Sequence, residues 1–177
     1  MDLPKAVNCQ CLIPQTKRIL AQTNHWIGNN TSGYAPIFLR LVLAYEFAEA
    51  GLEKLMGENW FGDLPFPFPF SLLPADVSWN LSMWLELIGP IALILGLATR
   101  FFSLALMVLT VVAIAAVHWP AEWHTLGELW QGYAITDKGF GNYKLPLLYL
   151  LMLASLFCSG AGWLSLDYWL GRKLIKH

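Results

Sequence analysis

Long, nearly uninterrupted apolar stretches dominate the pattern of hydrophobic and polar positions along the chain. A helix needs about 20 such residues to cross a hydrocarbon core of about 30 Å. Windows of that length match the four segments 36–55, 79–98, 101–119 and 145–164. The pattern therefore predicts an all-α membrane protein, built as a bundle of four transmembrane helices.

The segments and the stretches between them divide the chain into three parts. Only Thr99 and Arg100 separate the second and third segments, which predicts a tight antiparallel hairpin inside a membrane domain over residues 36–170. Residues 1–35 are a polar N-terminal tail, either flexible or partly an interfacial helix. Residues 171–177 form a basic C-terminal tail.

The positive charges predict how this domain is oriented. Lysine and arginine near membrane spans are preferentially retained in the cytoplasm. If the chain runs in, out, in, out, one side collects Lys5, Lys17, Arg18, Arg40, Arg100, Arg172, Lys173 and Lys176, and the other collects Glu58, Asp63, Asp76, Glu122, Glu128 and Asp137. We therefore expect a multi-pass protein of the bacterial inner membrane with both termini in the cytoplasm.

Composition supports the lipid environment and excludes several classes of function. Apolar and aromatic residues make up 56% of the chain and charged residues 13%, which is unusual for a soluble domain. A net charge of -1 gives no basic surplus for binding nucleic acid. Three cysteines do not make a disulfide framework, and the Cys9–Cys11 pair is a weak signal for a soft metal. With no phosphate-binding glycine loop and no nucleophile elbow in the sequence, we expect no autonomous catalytic activity.

Ionisable residues inside the first span are the strongest candidates for function, because charges at membrane depth are costly. At 100° per residue, Glu46, Glu49 and Glu53 fall on one helical face, which we call the acidic ridge. Three carboxylates in a low dielectric must hold protons or bind a cation. Alternatively, Glu49 and Glu53 lie in the outer half of the membrane and are simply solvated.

A second set of charged residues is expected to link the first two spans. Arg40 and Lys54 lie on a face of the first span away from the ridge, and either can pair with Glu86 near the middle of the second. With Arg100 and the acidic ridge, these residues form an intramembrane polar network. The pairing with Glu86 has a structural interpretation and one in proton, metal or quinone handling. Small residues that allow helices to pack closely are Gly51, Gly89 and Gly96.

His118 is the last residue but one of the third span, at its outer end, and Glu49 and Glu53 are expected in the outer half of the first span. With Glu49 and Glu53 it could supply nitrogen and oxygen ligands for a copper or zinc ion. The alternative is a hydrogen-bonded histidine in the aromatic belt at the membrane interface.

Two motifs resemble those of a known family. The stretch RLVLAYEFAEAGLEK, residues 40–54, looks like the first-helix signature of the DoxX family, with Arg, Phe, Gly and Lys at these spacings. The second signature is similar to ELIG at 86–89 followed by GLATR at 96–100. The extra carboxylates, followed by GENWF at 57–61, resemble the HvfX branch of the family.

This resemblance implies two functions. The HvfX branch is associated with the maturation of small Cys-containing, copper-binding peptides of ribosomal origin, alongside a peptide-modifying enzyme. It implies an accessory protein that assists the maturation, export or metal handling of such a peptide. Other DoxX relatives imply the alternative, a small membrane subunit of a quinone-linked, thiosulfate-type oxidoreductase. The corresponding cofactors are a copper ion or a quinone, and a homo-oligomer is compatible with both.

Overall fold

A computed structural model describes residues 12–120, 123–130 and 142–174, with the side chains in these ranges described from Tyr34 to Lys173. Every regular element in these ranges is helical, which confirms the prediction of an all-α protein for the described part of the chain. The predictions made for Cys9 and Cys11 lie outside the described residues.

Six α-helices follow one another along the described chain. Short 3-10 turns at Phe61–Asp63 and Phe70–Leu72 lie between the first two helices, and the third is extended by a π-helical turn at Ile114–His118. The α-helices are α1 (Leu12–Met56), α2 (Ala75–Leu95), α3 (Thr99–Ala113), α4 (Leu126–Trp130), α5 (Lys144–Ser159) and α6 (Leu166–Leu174).

Helix boundaries differ from the predicted segments at two glycines. The hairpin between α2 and α3 turns at residues 96–98 rather than at 99–100, because Gly96 adopts the left-handed conformation that ends α2. The apolar run at 145–164 is helical only to Ser159, and Gly160, with a φ of 78°, ends α5 there. A separate helix, α6, then occupies residues that the sequence analysis assigns to the end of the membrane domain, after the predicted span, and to the basic C-terminal tail.

Two helical stretches among the described residues are long and apolar enough to cross a membrane. Ala75–Leu95 has 21 residues and a mean hydropathy of 1.3, and Thr99–His118 has 20 residues and a mean hydropathy of 2.4. Helix α5 is also apolar but has only 16 residues. The segment 36–55 forms the C-terminal part of the longer helix α1.

Four of the helices share one apolar core. Leu43 of α1, Leu93 of α2, Leu106 of α3 and Leu153 of α5 are all completely buried and belong to one cluster. Large apolar side chains also cover the outside of these helices, among them Phe38, Tyr45, Ile91, Phe101 and Leu151. An exterior as apolar as this is typical of helices that face lipid.

Glycine sets the distance between α1 and α2. A Cβ atom at Gly51 would lie 3.0 Å from the carbonyl carbon and oxygen of Glu86, so the two backbones are in direct contact there. At Gly89, by contrast, a Cβ would meet only the flexible end of the Leu106 side chain, at 3.2 Å. An added methyl group would therefore press on the α2 backbone at position 51 but only on a flexible side chain at position 89.

We predict that Gly51→Ala destabilises the protein by about 1–3 kcal/mol, because the new methyl group pushes against helix backbone that cannot rotate away. Thermal unfolding of the detergent-solubilised chain measures the loss. Gly171→Ala is the matched control, since Gly171 is also helical but nothing lies within 4 Å of its Cβ position. The control should gain up to about 1 kcal/mol from helix propensity. Equal effects of the two substitutions would contradict close contact at Gly51.

Candidate functional site

Polar contacts between the helices are concentrated in three places. One is the guanidinium of Arg40, another is an ion pair between α1 and α2, and the third is a hydrogen bond between α1 and α5. Each involves a charged residue of α1 that the sequence singles out. These three contacts show which charged residues of α1 bind neighbouring helices and which remain available for other contacts.

Arg40 is 3% exposed and binds backbone oxygens of two separate segments. Its Nε donates to the Leu93 carbonyl at 2.6 Å and one terminal nitrogen donates to the Ile94 carbonyl, also at 2.6 Å. The other terminal nitrogen donates to the carbonyls of Ala161 and Leu164, at 2.8 and 3.0 Å. A planar guanidinium suits this arrangement, since its fixed donors reach the end of α2 and the segment between α5 and α6 together.

Residues around Arg40 close the same end of the bundle, which we call the Arg40 end. The Asp167 carboxylate accepts hydrogen bonds from the backbone amides of Ala98 and Thr99, at 2.7 and 2.9 Å, and so caps the start of α3. A Cβ at Gly96 would lie 2.5 Å from Cβ of Ser165 and 2.8 Å from the Arg40 guanidinium. With a φ of 64° and so little space, only glycine fits this position.

Lys54 and Glu86 form an ion pair between α1 and α2. Glu86 is 4% exposed, and its carboxylate is within hydrogen-bonding distance of the Lys54 ammonium. Of the two partners that the sequence offers for Glu86, the structure thus brings Lys54 to it and places Arg40 about four turns away along α1, against the end of α2. The contact lies one turn from Gly51, where the two helices are closest.

The acidic ridge is divided between two environments. The Tyr149 hydroxyl of α5 donates a hydrogen bond to the half-buried Glu46 carboxylate, and the Tyr149 ring packs on Phe47 with centroids 6.0 Å apart. Glu49 and Glu53 are exposed, and neither has a hydrogen bond or ion pair with any described residue. The structure therefore uses Glu46 to join α1 to α5 and leaves two carboxylates on the surface of α1.

The bundle end opposite Arg40 is rich in aromatic side chains. Phe61, Trp60, Trp79 and Phe66 form a cluster with centroid separations of 5.0–6.0 Å. His118 is hydrogen-bonded through its ring N–H to the side-chain oxygen of Asn142. Within the described ranges, no three His, Cys, Asp or Glu residues come close enough to hold a metal ion, and the structure does not bring His118 together with Glu49 and Glu53.

Three residues of these contacts were not singled out by sequence: Tyr149, Asn142 and Asp167. Tyr149 carries no charge and lies in an apolar run, so hydropathy gives no signal for it. Asp167 precedes a basic stretch, and its role in capping α3 can be recognised only once α6 is known to be a separate helix. Arg100, which the sequence does single out, is exposed and makes one long hydrogen bond of 3.4 Å to the Cys158 carbonyl.

Comparison with known proteins places these residues in a family context. A family model described as DoxX matches residues 35–119, which contain Arg40, the acidic ridge, Lys54 and Glu86. An uncharacterized protein of Haemophilus influenzae is 46% identical over 138 residues, covering 77% of this chain and 83% of the relative. A second uncharacterized protein of the same organism is 32% identical over 147 residues, covering 78% and 95%. No solved structure gives a significant match.

We predict that Arg40→Lys destabilises the protein by about 2–4 kcal/mol, although the positive charge is kept, because one ammonium cannot reach all four carbonyl groups. Thermal unfolding in detergent measures the change. Arg100→Lys is the matched control, since Arg100 is exposed with a single long contact, and we expect about 0.5 kcal/mol or less. Similar losses in both variants would refute the assignment of Arg40 as the tie between the two segments.

A double-mutant cycle tests the Lys54–Glu86 pair. Lys54→Met leaves the buried Glu86 carboxylate without its partner and should cost about 3–5 kcal/mol. Adding Glu86→Leu removes the stranded charge, so the double variant should recover most of that loss. Equilibrium unfolding of both single variants and the double variant gives the coupling energy. A coupling near zero would mean that the two side chains do not interact in the folded protein.

Proposed function

Because the chain belongs to the DoxX family, a family of membrane proteins, we propose that it is a multi-pass protein of the bacterial inner membrane, in which α1, α2, α3 and α5 cross the bilayer. Both termini are cytoplasmic in this proposal, and the chain is assigned to the HvfX branch. The stretch of α1 from Tyr34 to Met56 supports a crossing, since it rises about 33 Å, close to the thickness of a hydrocarbon core.

Charge distribution supports the orientation. Arg40, Arg100, Arg172 and Lys173 are all at the Arg40 end, either within it or on α6 beside it. The opposite end carries acidic side chains between α1 and α2 and in the first turns of α2 and α4, namely Glu58, Asp63, Asp76 and Glu128. Since cytoplasmic loops are enriched in lysine and arginine, the Arg40 end is the cytoplasmic one.

The proposed activity is that of an accessory protein without catalysis of its own. It assists the maturation, export or metal handling of a small, Cys-containing copper-binding peptide, together with the enzyme that modifies the peptide. The observation that carries this proposal is the exposure of Glu49 and Glu53, while Arg40, Glu46, Lys54 and Glu86 are engaged in helix contacts. Two unengaged carboxylates at membrane depth call for a cationic partner.

Glu49 and Glu53 suit such a partner because they are four residues apart and so lie on adjacent turns of one helical face. In the proposed orientation they are in the outer half of α1, nearer Met56 than Arg40. Their oxygens would attract a cation or a basic peptide, while thiolates of the peptide supply the soft ligands that copper(I) prefers. The carboxylates therefore guide the cargo and need not form a complete metal site.

We predict that cells carrying Glu49→Gln with Glu53→Gln lose copper tolerance to nearly the extent of cells lacking the protein, because the exposed face of α1 loses its charge. Growth across a copper series measures tolerance, with membrane levels of the protein matched by immunoblot. Asp63→Asn is the control, since it removes an exposed carboxylate from the connecting segment instead.

Normal tolerance of the double variant at normal protein level would refute the role of the two carboxylates. Quinone that co-purifies with the chain, together with a change in quinol absorbance when a sulfur donor is added, would instead support the quinone-linked subunit. The Glu46–Tyr149 hydrogen bond is the contact that favours this second candidate, because it offers an exchangeable proton between two helices.

A further inference from the structure

Helix α6 takes no part in the activity proposed above, although its basic residues support the orientation. Its nine residues put Leu166, Trp169, Leu170 and Lys173 on one face, following the 3.6-residue period. That face is uncovered: Trp169 is 63% exposed and Leu170 is 49% exposed. The preceding segment adds the exposed side chains of Trp163 and Leu164.

Basic side chains lie directly over the aromatic rings of this helix. The Lys173 ammonium is 4.7 Å from the centroid of the Trp169 ring, and the Arg172 guanidinium is 5.6 Å from that of Tyr168. These contacts hold the charges beside the apolar face instead of leaving them to extend into solvent. The combination of tryptophan, tyrosine and basic groups is the one found where a protein meets lipid headgroups.

Hydrogen bonds fix this helix to the end of the bundle. The Asp167 carboxylate accepts hydrogen bonds from backbone amides at the start of α3. The backbone N–H of Asp167 also donates a hydrogen bond to the Gly96 carbonyl, at 3.0 Å. The segment just before α6 is held by Arg40 through the carbonyls of Ala161 and Leu164. Since Trp163 also packs on Tyr34 of α1, with centroids 6.5 Å apart, the face has a set position relative to the membrane helices.

We propose that α6 lies in the headgroup layer of the cytoplasmic leaflet and binds anionic phospholipid. Its apolar face enters the boundary of the acyl chains, and Arg172 and Lys173 contact lipid phosphates, with the exposed Arg100 at the same end of the bundle. This inference rests on the membrane orientation given under the proposed function. Charge complementarity favours anionic lipid over a second copy of the chain, which would bring like charges together.

The size of the face also argues for lipid. A helix of nine residues is about 14 Å long and offers a strip of little more than two turns. A stable dimer needs about 800 Å² from each partner, which such a strip does not supply. A lipid surface sets no such minimum, because each apolar side chain and each basic group contributes separately.

Native mass spectrometry of the full-length chain tests this. The protein is reconstituted in nanodiscs of mixed phosphatidylcholine and phosphatidylglycerol, and the ratio of the two lipids that stay bound on release is measured. We expect wild type to retain phosphatidylglycerol preferentially. Arg172→Gln and Lys173→Gln should each lower that preference about fivefold, which corresponds to about 1 kcal/mol per basic residue at an anionic surface.

Lys144→Gln is the control for loss of one positive charge, since Lys144 lies at the opposite end of the bundle over the Trp130 ring. It should leave the lipid ratio unchanged. Quenching of tryptophan fluorescence by brominated phosphatidylglycerol gives a second readout, and Trp169→Phe should remove part of it. Trp169, Arg172 and Lys173 are exposed and Lys144 is half-buried, and thermal unfolding verifies that each variant is folded.

A wild-type protein with no preference for phosphatidylglycerol, or variants that keep the wild-type ratio, would overturn the proposal. So would a dimer in the mass spectra that Trp169→Phe or Lys173→Gln dissociates, because the face would then be covered by a second copy. If alkaline carbonate extracts the chain from membranes, the membrane orientation under the proposed function fails as well. If the chain stays membrane-bound but shows no lipid preference, only the role of α6 fails.

Discussion

Satisfaction of charged groups inside an apolar structure is the constraint on which the molecule depends, and Arg40 shows it most clearly. A buried guanidinium without partners would cost several kcal/mol, so its donors must find acceptors within the protein. Here the acceptors are four backbone carbonyls at the end of α2 and in the segment before α6. Two of these carbonyls lie in the last turn of α2, where the Leu93 carbonyl also accepts from the Gly96 amide at 3.1 Å, and the other two lie in the segment between α5 and α6. One side chain therefore binds both segments at once.

The same constraint divides the charged residues of α1 into those that bind a neighbouring helix and those that do not. Lys54 and Glu46 are joined to α2 and α5 through Glu86 and Tyr149, so α1 is held on two sides by polar contacts as well as by the leucine core. Glu49 and Glu53 take no part in this. Exposed carboxylates that bind no described residue are available to a partner, and that is why the proposed function is placed on these two positions.

Sequence reasoning predicted an all-helical chain correctly, because long apolar runs of this length are typical of helices. It also predicted an ion pair between Glu86 and a basic residue of α1, because a buried carboxylate needs a positively charged partner. It did not distinguish Arg40 from Lys54, and the structure pairs Glu86 with Lys54. The true partners of Arg40 are backbone carbonyls, which every residue possesses and no sequence pattern marks. Helix α6 was missed for a related reason, because the turn at Gly160 depends on a backbone angle and the apolar run continues past it.

The acceptors of Arg40 also have a consequence for how the chain is made. The first lies 53 residues downstream of it and the last lies 124 residues downstream. At about 5–20 residues per second, the ribosome needs about 6–25 s to reach the last of them. Until then, the Arg40 guanidinium lacks the carbonyls of Ala161 and Leu164 as acceptors. Water, lipid phosphate or the insertion machinery must accept these hydrogen bonds instead. The Arg40 end can therefore close only after α5 and the segment that follows it have been synthesised, so α1 is made early but reaches its final contacts late.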